Sequence, residues 1–306
     1  MSAETIVVSG GAGFIGSHLV DAFVAAGHRV LVIDDLSSGV RAQVNPAAEL
    51  HVLDVRSAEA AQLVEQSGAT ALCHQAAQID VRASVADPRR DAEINILGLL
   101  NLVEAGRRGR LARVLFASSG GTVYGEQQCF PADEDHPTRP ISPYGVSKLS
   151  CEHYLGYYQA THGLAVTCLR YANVYGPRQQ AHGEAGVVAI FLGRLLRGEA
   201  PLIYGDGEQT RDYVYVGDVA AANLRALTAH GFGVYNVGTG VETSVNALLT
   251  ALRAIVGGPA GRHAEARTGE QRRSAITAAR LERALGWRPE TTLAEGLRRT
   301  AAWFRP

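Results

Sequence analysis

Thr5-Ile6-Val7-Val8-Ser9-Gly10-Gly11-Ala12-Gly13-Phe14-Ile15-Gly16 runs from β-branched apolar residues through a glycine-rich turn into apolar residues at helical spacing: Phe14, Ile15, Leu19, Val20, Phe23 and Val24. The order is strand, tight turn, helix. Such a turn gathers backbone N–H groups and the positive helix end at one point, and glycine lets a pyrophosphate approach closely. The next strand, Arg29 to Ile33, ends in Asp34-Asp35. A carboxylate there accepts hydrogen bonds from a ribose diol and repels a 2′-phosphate, which favours NAD over NADP.

Outward from this unit, strands and helices alternate. Leu50 to Val55, Ala71 to Ala76 and Arg113 to Ala117 read as strands, with helical patterns at Ala58 to Glu65 and Asp91 to Arg108 between them. The pattern predicts an α/β protein with a Rossmann-type doubly wound parallel sheet, whose ligands sit at the carboxyl ends of the strands. From about Gly176 it turns irregular and rich in glycine and arginine. The expected division is a cofactor domain over residues 1–175 and a smaller C-terminal domain over 176–306. Asp212 to Val216 and Val234 to Val237 read as strands able to return to the main sheet.

Ser142-Pro143-Tyr144-Gly145-Val146-Ser147-Lys148 holds the only lysine of a chain with 29 lysines and arginines. An arginine is planar, forked and fixed in charge, whereas a lysine is a compact point charge that can stand beside a reacting group. Ser142 is a good N-cap and Pro143 suits the first helical position, so Tyr144 and Lys148 lie one turn apart on one helix face. The pair reads either as a solvated helix face or as chemistry. A phenol with a pKa of about 10 becomes a usable base when a nearby cation favours the phenolate. The lone lysine selects the second reading, with Tyr144 taking a proton from an alcohol. Ser118-Ser119, at a strand end, reads as a hydroxyl for that alcohol or as a plain turn.

The 306 residues are 46% hydrophobic and 19% charged, with a formal net charge of −1. That is an ordinary globular composition without the basic surplus of a nucleic-acid binder. No stretch approaches a membrane span and no charged leader precedes the first strand, so a cytoplasmic location is expected. Cys73, Cys129, Cys151 and Cys168 have neither metal-ligand spacing nor the density of a disulfide scaffold, and no metal is expected.

Together with His74-Gln75-Ala76-Ala77, Asn95, Val123-Tyr124-Gly125, Arg170-Tyr171-Ala172-Asn173 and Arg211-Asp212-Tyr213, these motifs make the chain resemble the extended short-chain dehydrogenase/reductase family over nearly its whole length. Within it the likeness is to the UDP-glucose and UDP-glucuronate 4-epimerase branch. The resemblance implies that Gly10, Gly13, Phe14, Ile15 and Gly16 hold the NAD pyrophosphate, and that Asp34, with Asp35, Ser37 and Gly39, holds the adenosine ribose. It places Asp54 and Val55 at the adenine, Lys148 at the nicotinamide ribose, and Gln75, Ala76, Ala77, Asn95 and Tyr171 also at the cofactor. It makes Tyr144 the base. The implied partner is a UDP-sugar, met by Arg82, Ser119, Asn173, Val187, Val188, Tyr204, Arg211, Arg267 and Glu270, with Arg211 and Arg267 gripping the diphosphate and Glu270 the uridine ribose. Thr268-Gly269-Glu270 departs from the family's usual Pro-Gly-Asp, and Val187-Val188 from a common Asn-Leu. By analogy the helices after Asp91 and Pro143 pair in a homodimer.

Several reactions share this scaffold and begin with oxidation at sugar C4. Dehydratases of the family carry Asp-Glu before Val-Tyr-Gly, and the decarboxylases also use a carboxylate in that loop. Here Gly120-Gly121-Thr122 has none, so 4-epimerisation is the expected fate. The loop is one residue longer than the usual serine-rich run, which leaves Ser119 and Thr122 as rival hydroxyl partners, Ser119 being preferred. Arg82, in Val81-Arg82-Ala83-Ser84, is similar to a stretch of uronate epimerases, or else pairs with Asp87 or Asp91. Asn173 matches neutral-hexose enzymes, so both substrates stay open. A 4-reductase with exchangeable cofactor, or a catalytically silent NAD-binding sensor, would use the same fold; a sensor would show a broken Tyr/Lys pair.

Overall fold

The computed structural model describes residues 3–180, 186–266 and 271–305. The first part of the chain runs β1 (Thr5–Ser9), α1 (Phe14–Ala25), β2 (Arg29–Asp34), β3 (Glu49–Val52), α2 (Ala58–Gln66), β4 (Ala71–His74), α3 (Val81–Ala86), α4 (Pro88–Ala92), a π-helical turn at Glu93–Leu97, α5 (Gly98–Arg108), β5 (Arg113–Ser119), α6 (Pro143–His162) and β6 (Ala165–Tyr171). There follow β7 (Asn173–Tyr175), α7 (Val187–Leu196), β8 (Leu202–Tyr204), β9 (Thr210–Tyr215), α8 (Val216–Ala226), β10 (Phe232–Val237), β11 (Glu242–Ser244), α9 (Val245–Val256), β12 (Arg262–Ala264), α10 (Ala279–Leu285) and α11 (Leu293–Phe304).

Seven strands form one sheet in the order β10-β6-β5-β4-β1-β2-β3, every pair parallel. Its strands are apolar on both faces because helices cover both. In β1, Ile6 and Val8 point to the layer formed with Leu19, Val20 and Phe23 of α1 and Val219 and Ala222 of α8. Val7 points the other way, to Leu99 and Leu102 of α5 and Cys151 and Leu155 of α6. A third core, with Phe191, Leu192, Leu248, Leu252 and Leu297, joins α7, α9 and α11. No described helix is long and apolar enough to cross a membrane.

Three departures from the sequence expectation have local causes. β3 stops at Val52 rather than Val55, and two residues later Asp54 turns the chain by accepting the Arg56 amide at 2.8 Å. The helix expected from Asp91 to Arg108 is instead the end of α4, a π-helical turn and α5; the wide turn carries Asn95 inward. Of the two strands expected to return to the main sheet, β10 does so beside β6. β9 instead pairs with β7 and β11 in a separate three-stranded sheet, because β10 already occupies the edge of β6 and the chain leaves that edge at Ala172.

Candidate active site

The carboxyl ends of β1, β2, β4, β5 and β6 converge on one side of the sheet. At the first of them Gly10 has φ +71°, and a Cβ there would lie 2.6 Å from the Ala76 amide nitrogen. A Cβ on Gly16 would lie 2.0 Å from the Gly10 carbonyl oxygen. Only glycine fits this cradle. α1 begins without a side-chain cap or an acidic residue in its first turn, so its leading N–H groups remain available to an anion. Buried Asp34 accepts the Ala12 and Leu36 amides, each at 2.9 Å, which locks the turn against the end of β2. Burial raises its pKa, opposed by those two amides.

α6 starts as expected, with Ser142 Oγ accepting the Gly145 amide at 3.2 Å and Pro143 in the first turn. It places Tyr144, Lys148 and Glu152 along one face. The Tyr144 phenol and Ser119, at the end of β5, line the same cavity wall, and the Ser119 hydroxyl acts on the phenol. The Lys148 ammonium faces the rings of Phe116, 4.9 Å to the centroid, and Tyr144, 5.7 Å. No hydrogen bond to it forms among the described residues, although Lys148 is only 2% exposed. A buried cation without an acceptor is a place for ligand oxygens. The expected lowering of the phenol pKa by the lysine does not hold in this state. Burial pushes Tyr144 upward, the Asp91 charge adds to it, and the Ser119 hydrogen bond opposes. Burial also lowers Lys148 to about 8, against the pull of Cys151 and Asp91.

A cavity of about 850 Å³ opens in front of Tyr144, and Lys148 is not in its wall. Its wall gathers many of the sequence-predicted residues: Phe14, Ile15, Ser119, Tyr144, Tyr171, Asn173, Val187, Val188, Tyr204 and Arg211. The sequence reading missed Arg194, Arg197 and Gln209 in the same wall. Arg194 stands out in retrospect as the one charge in the apolar run of α7. Its guanidinium donates to the Ala200 carbonyl at 3.2 Å, and Arg197 pairs with Glu199 at 2.8 Å. Among the described residues of this wall there is no carboxylate.

Other predicted residues stand elsewhere. Thr122 is not in the wall and its buried Oγ1 has no partner among the described residues, whereas Ser119 shares the wall with Tyr144. Arg82 is exposed on α3, outside the cavity wall. Asp87 caps α4 through the Arg90 amide, and Asp91 takes Gln78, Asn95 and Ser147. Asn95, expected at the cofactor, hydrogen-bonds Gln78 and Asp91 and so shapes the loop after β4 that carries Ala76 and Ala77. Gln75 reaches the Tyr171 hydroxyl at 3.3 Å, and Asn223 donates to that hydroxyl at 2.8 Å, an interior network beneath the cavity. Asp35 accepts from the Ser37 amide and hydroxyl. Asp54 pairs with Arg56 at 2.5 Å, which lowers the carboxyl pKa, while Val55 is buried and Gly39 packs against Asp34. Arg267 and Glu270 lie outside the described residues.

The model of the NAD dependent epimerase/dehydratase family matches residues 6–238. A UDP-glucose 4-epimerase from Thermotoga maritima, solved with UDP-glucose, superposes with a TM-score of 0.96 at 44% identity over 98% of each chain. A UDP-glucose 4-epimerase from Thermus thermophilus, solved in complex with NAD, gives a TM-score of 0.93, again at 44% identity over 98% of each chain. The UDP-glucose 4-epimerase of Mycolicibacterium smegmatis is 44% identical over 306 residues, 98% of each chain. The glycine cradle, the carboxylate beyond it and the buried lysine without an acceptor fit the cofactor that these comparisons bring, and the chain belongs to the NAD dependent epimerase/dehydratase family.

Proposed function

We propose that this protein is an isomerase, a 4-epimerase that interconverts UDP-glucose and UDP-galactose with bound NAD. The carrying observation is a cavity wall that holds the Tyr144 and Ser119 pair but, among its described residues, no carboxylate. Elimination of water and decarboxylation in this family call on such an acid or base; removal and return of one proton at C4 does not. NAD, when bound, supplies the acceptor and the returning donor of the C4 hydride. Tyr144 takes the 4-hydroxyl proton, Ser119 holds that oxygen through its hydroxyl, and Lys148 meets the nicotinamide ribose and favours the phenolate. The sugar, now a 4-ketone, turns within the cavity and receives the proton back from the same phenol.

Arg211 grips the diphosphate, with Tyr204, Val187 and Val188 as the wall toward the base and Asn173 toward the sugar. Gly10, Gly13, Phe14, Ile15 and Gly16 hold the cofactor pyrophosphate, and Asp34 its ribose. A neutral hexose is favoured over a uronate because Arg82 lies outside the wall. The exposed apolar residues Val85, Leu97, Val146, Tyr154 and Tyr157 on α3, the π-helical turn and α6 support a homodimer through these helices, working in the cytoplasm.

The test is NMR of the purified protein incubated separately with UDP-glucose and UDP-glucuronate, while following reduced-nicotinamide absorbance. The expected result is a mixture of gluco and galacto forms from UDP-glucose, unchanged UDP-glucuronate and no accumulating reduced cofactor. Conversion of the uronate alone, or a dehydrated 4-keto product, would overturn the reading.

A further inference from the structure

Ile276 belongs to the irregular segment between β12 and α10, far in sequence from the reacting residues, and is 1% exposed. It packs with Val123, Tyr124 and Ala132 in a small apolar core, against which Leu149 and Ala172 also rest. Leu149 follows Lys148 on α6, and Ala172 is in the cavity wall. Gly120, the residue after Ser119, lies against the same side chain: a Cβ there would stand 2.5 Å from Ile276 Cδ1 and 3.3 Å from the Tyr171 carbonyl oxygen. On its other flank Ile276 donates its amide to Asp212 Oδ2 at 3.3 Å. That carboxylate also takes the Thr239 hydroxyl and the Thr239 and Gly240 amides, and it follows Arg211 in the chain. A Cβ on Gly238 would lie 2.6 Å from Ile276 Cγ1. Backbone bonds from Ala132 to Ala275 and from Thr277 to Ala132, both 2.9 Å, keep the segment from swinging aside.

We propose that Ile276 is a positioning residue, a wedge that sets the spacing between Ser119 at the reacting end and Arg211 at the nucleotide end. The reason is mechanical. A sugar that turns while its nucleotide stays anchored presents C4 correctly only if anchor and hydroxyl keep a fixed separation, and small misplacements cost large rate factors. The inference rests on the epimerase reading for its kinetic readout.

The test is a double-mutant cycle of Gly120→Ala and Ile276→Val, read as kcat, KM and NAD content with UDP-glucose, and in parallel as the thermal unfolding midpoint. Gly120→Ala is expected to lower kcat at least tenfold with KM and NAD content within about twofold. Adding Ile276→Val, which removes the clashing methyl, should recover most of the loss. A Gly120→Ala enzyme with the wild-type kcat, or a pair no better than Gly120→Ala alone, would overturn the proposal. If Gly120→Ala does not fold, recovery of folding without recovery of kcat in the pair counts against positioning, and recovery of both supports it. An inactive wild type would sink the epimerase reading instead. The thermal cycle then decides the wedge by itself, non-additive midpoints supporting it and additive ones excluding it.

Discussion

Lys148 and Glu152 stand one turn apart on the same face of α6, both buried, and differ in what meets them. Glu152 is satisfied from within the protein: Arg170 reaches both its oxygens, at 2.9 and 2.6 Å, and the Ser118 hydroxyl adds a third bond. Arg170 goes on to the Tyr124 hydroxyl at 3.0 Å, which donates to Asn236. Burial alone would lower the Arg170 pKa, and the Glu152 contacts more than offset it, so the guanidinium stays charged. Among the described residues Lys148 meets only the faces of two rings. A buried charge closed by its own neighbours holds a structure together, while one left open waits for a ligand. The adjacent serines repeat the contrast. Ser118 turns its hydroxyl to the ion pair, and Ser119 lines the cavity wall with Tyr144.

The contrast is broken most sharply at the open end. Tyr144→Phe and Lys148→Arg should each lower kcat by about 10²–10⁴ while the protein stays folded, checked by steady-state kinetics beside circular dichroism. Loss of folding in either would make the pair structural. At the closed end Glu152→Gln should act on stability instead. It leaves Arg170 buried without its counter-charge and should cost about 3–5 kcal/mol in denaturant unfolding. A change under about 1 kcal/mol would show that the network is not closed as described.

A smaller effect tests the charge on Lys148. With its pKa lowered to about 8, the ammonium is present below that pH and is lost as the pH rises through it. NAD affinity of the apoprotein, measured by fluorescence titration, should therefore fall several-fold from pH 8 to 9 and stay flat in Lys148→Met across the same range. Equal pH profiles for the two proteins would remove Lys148 from cofactor binding. Smallest of all is Arg82→Ala, expected to change kcat/KM for UDP-glucose by less than about twofold, as for an exposed surface residue. A tenfold loss would bring that arginine back to the substrate.

What could be read in the sequence was what is local. The turn Gly10 to Gly16, Asp34 after β2, and the Tyr144 and Lys148 pair each declare themselves within one strand, turn or helix, because glycine cradles and helical spacing act over a few residues. The partners of Glu152 come from β5, from β6 and, through Tyr124, from β10. No periodicity links such positions. The cavity wall from α7 to β9 was legible only where a motif marked it, as at Arg211. Arg194 and Ile276 carry no motif, and Ile276 looks like an ordinary apolar residue until the space beside Gly120 is seen. Asn95 holds the loop after β4 through Gln78 and Asp91, contacts that its motif does not announce.

The most direct test of the account follows the C4 hydrogen. UDP-glucose deuterated at C4 is incubated with the purified holoenzyme, and the product is examined by NMR and mass spectrometry. Deuterium retained at C4 of UDP-galactose, without exchange with water or with added unlabelled cofactor, is the predicted result. Loss of the label to solvent or to free cofactor would contradict a hydride that leaves and returns within one closed site.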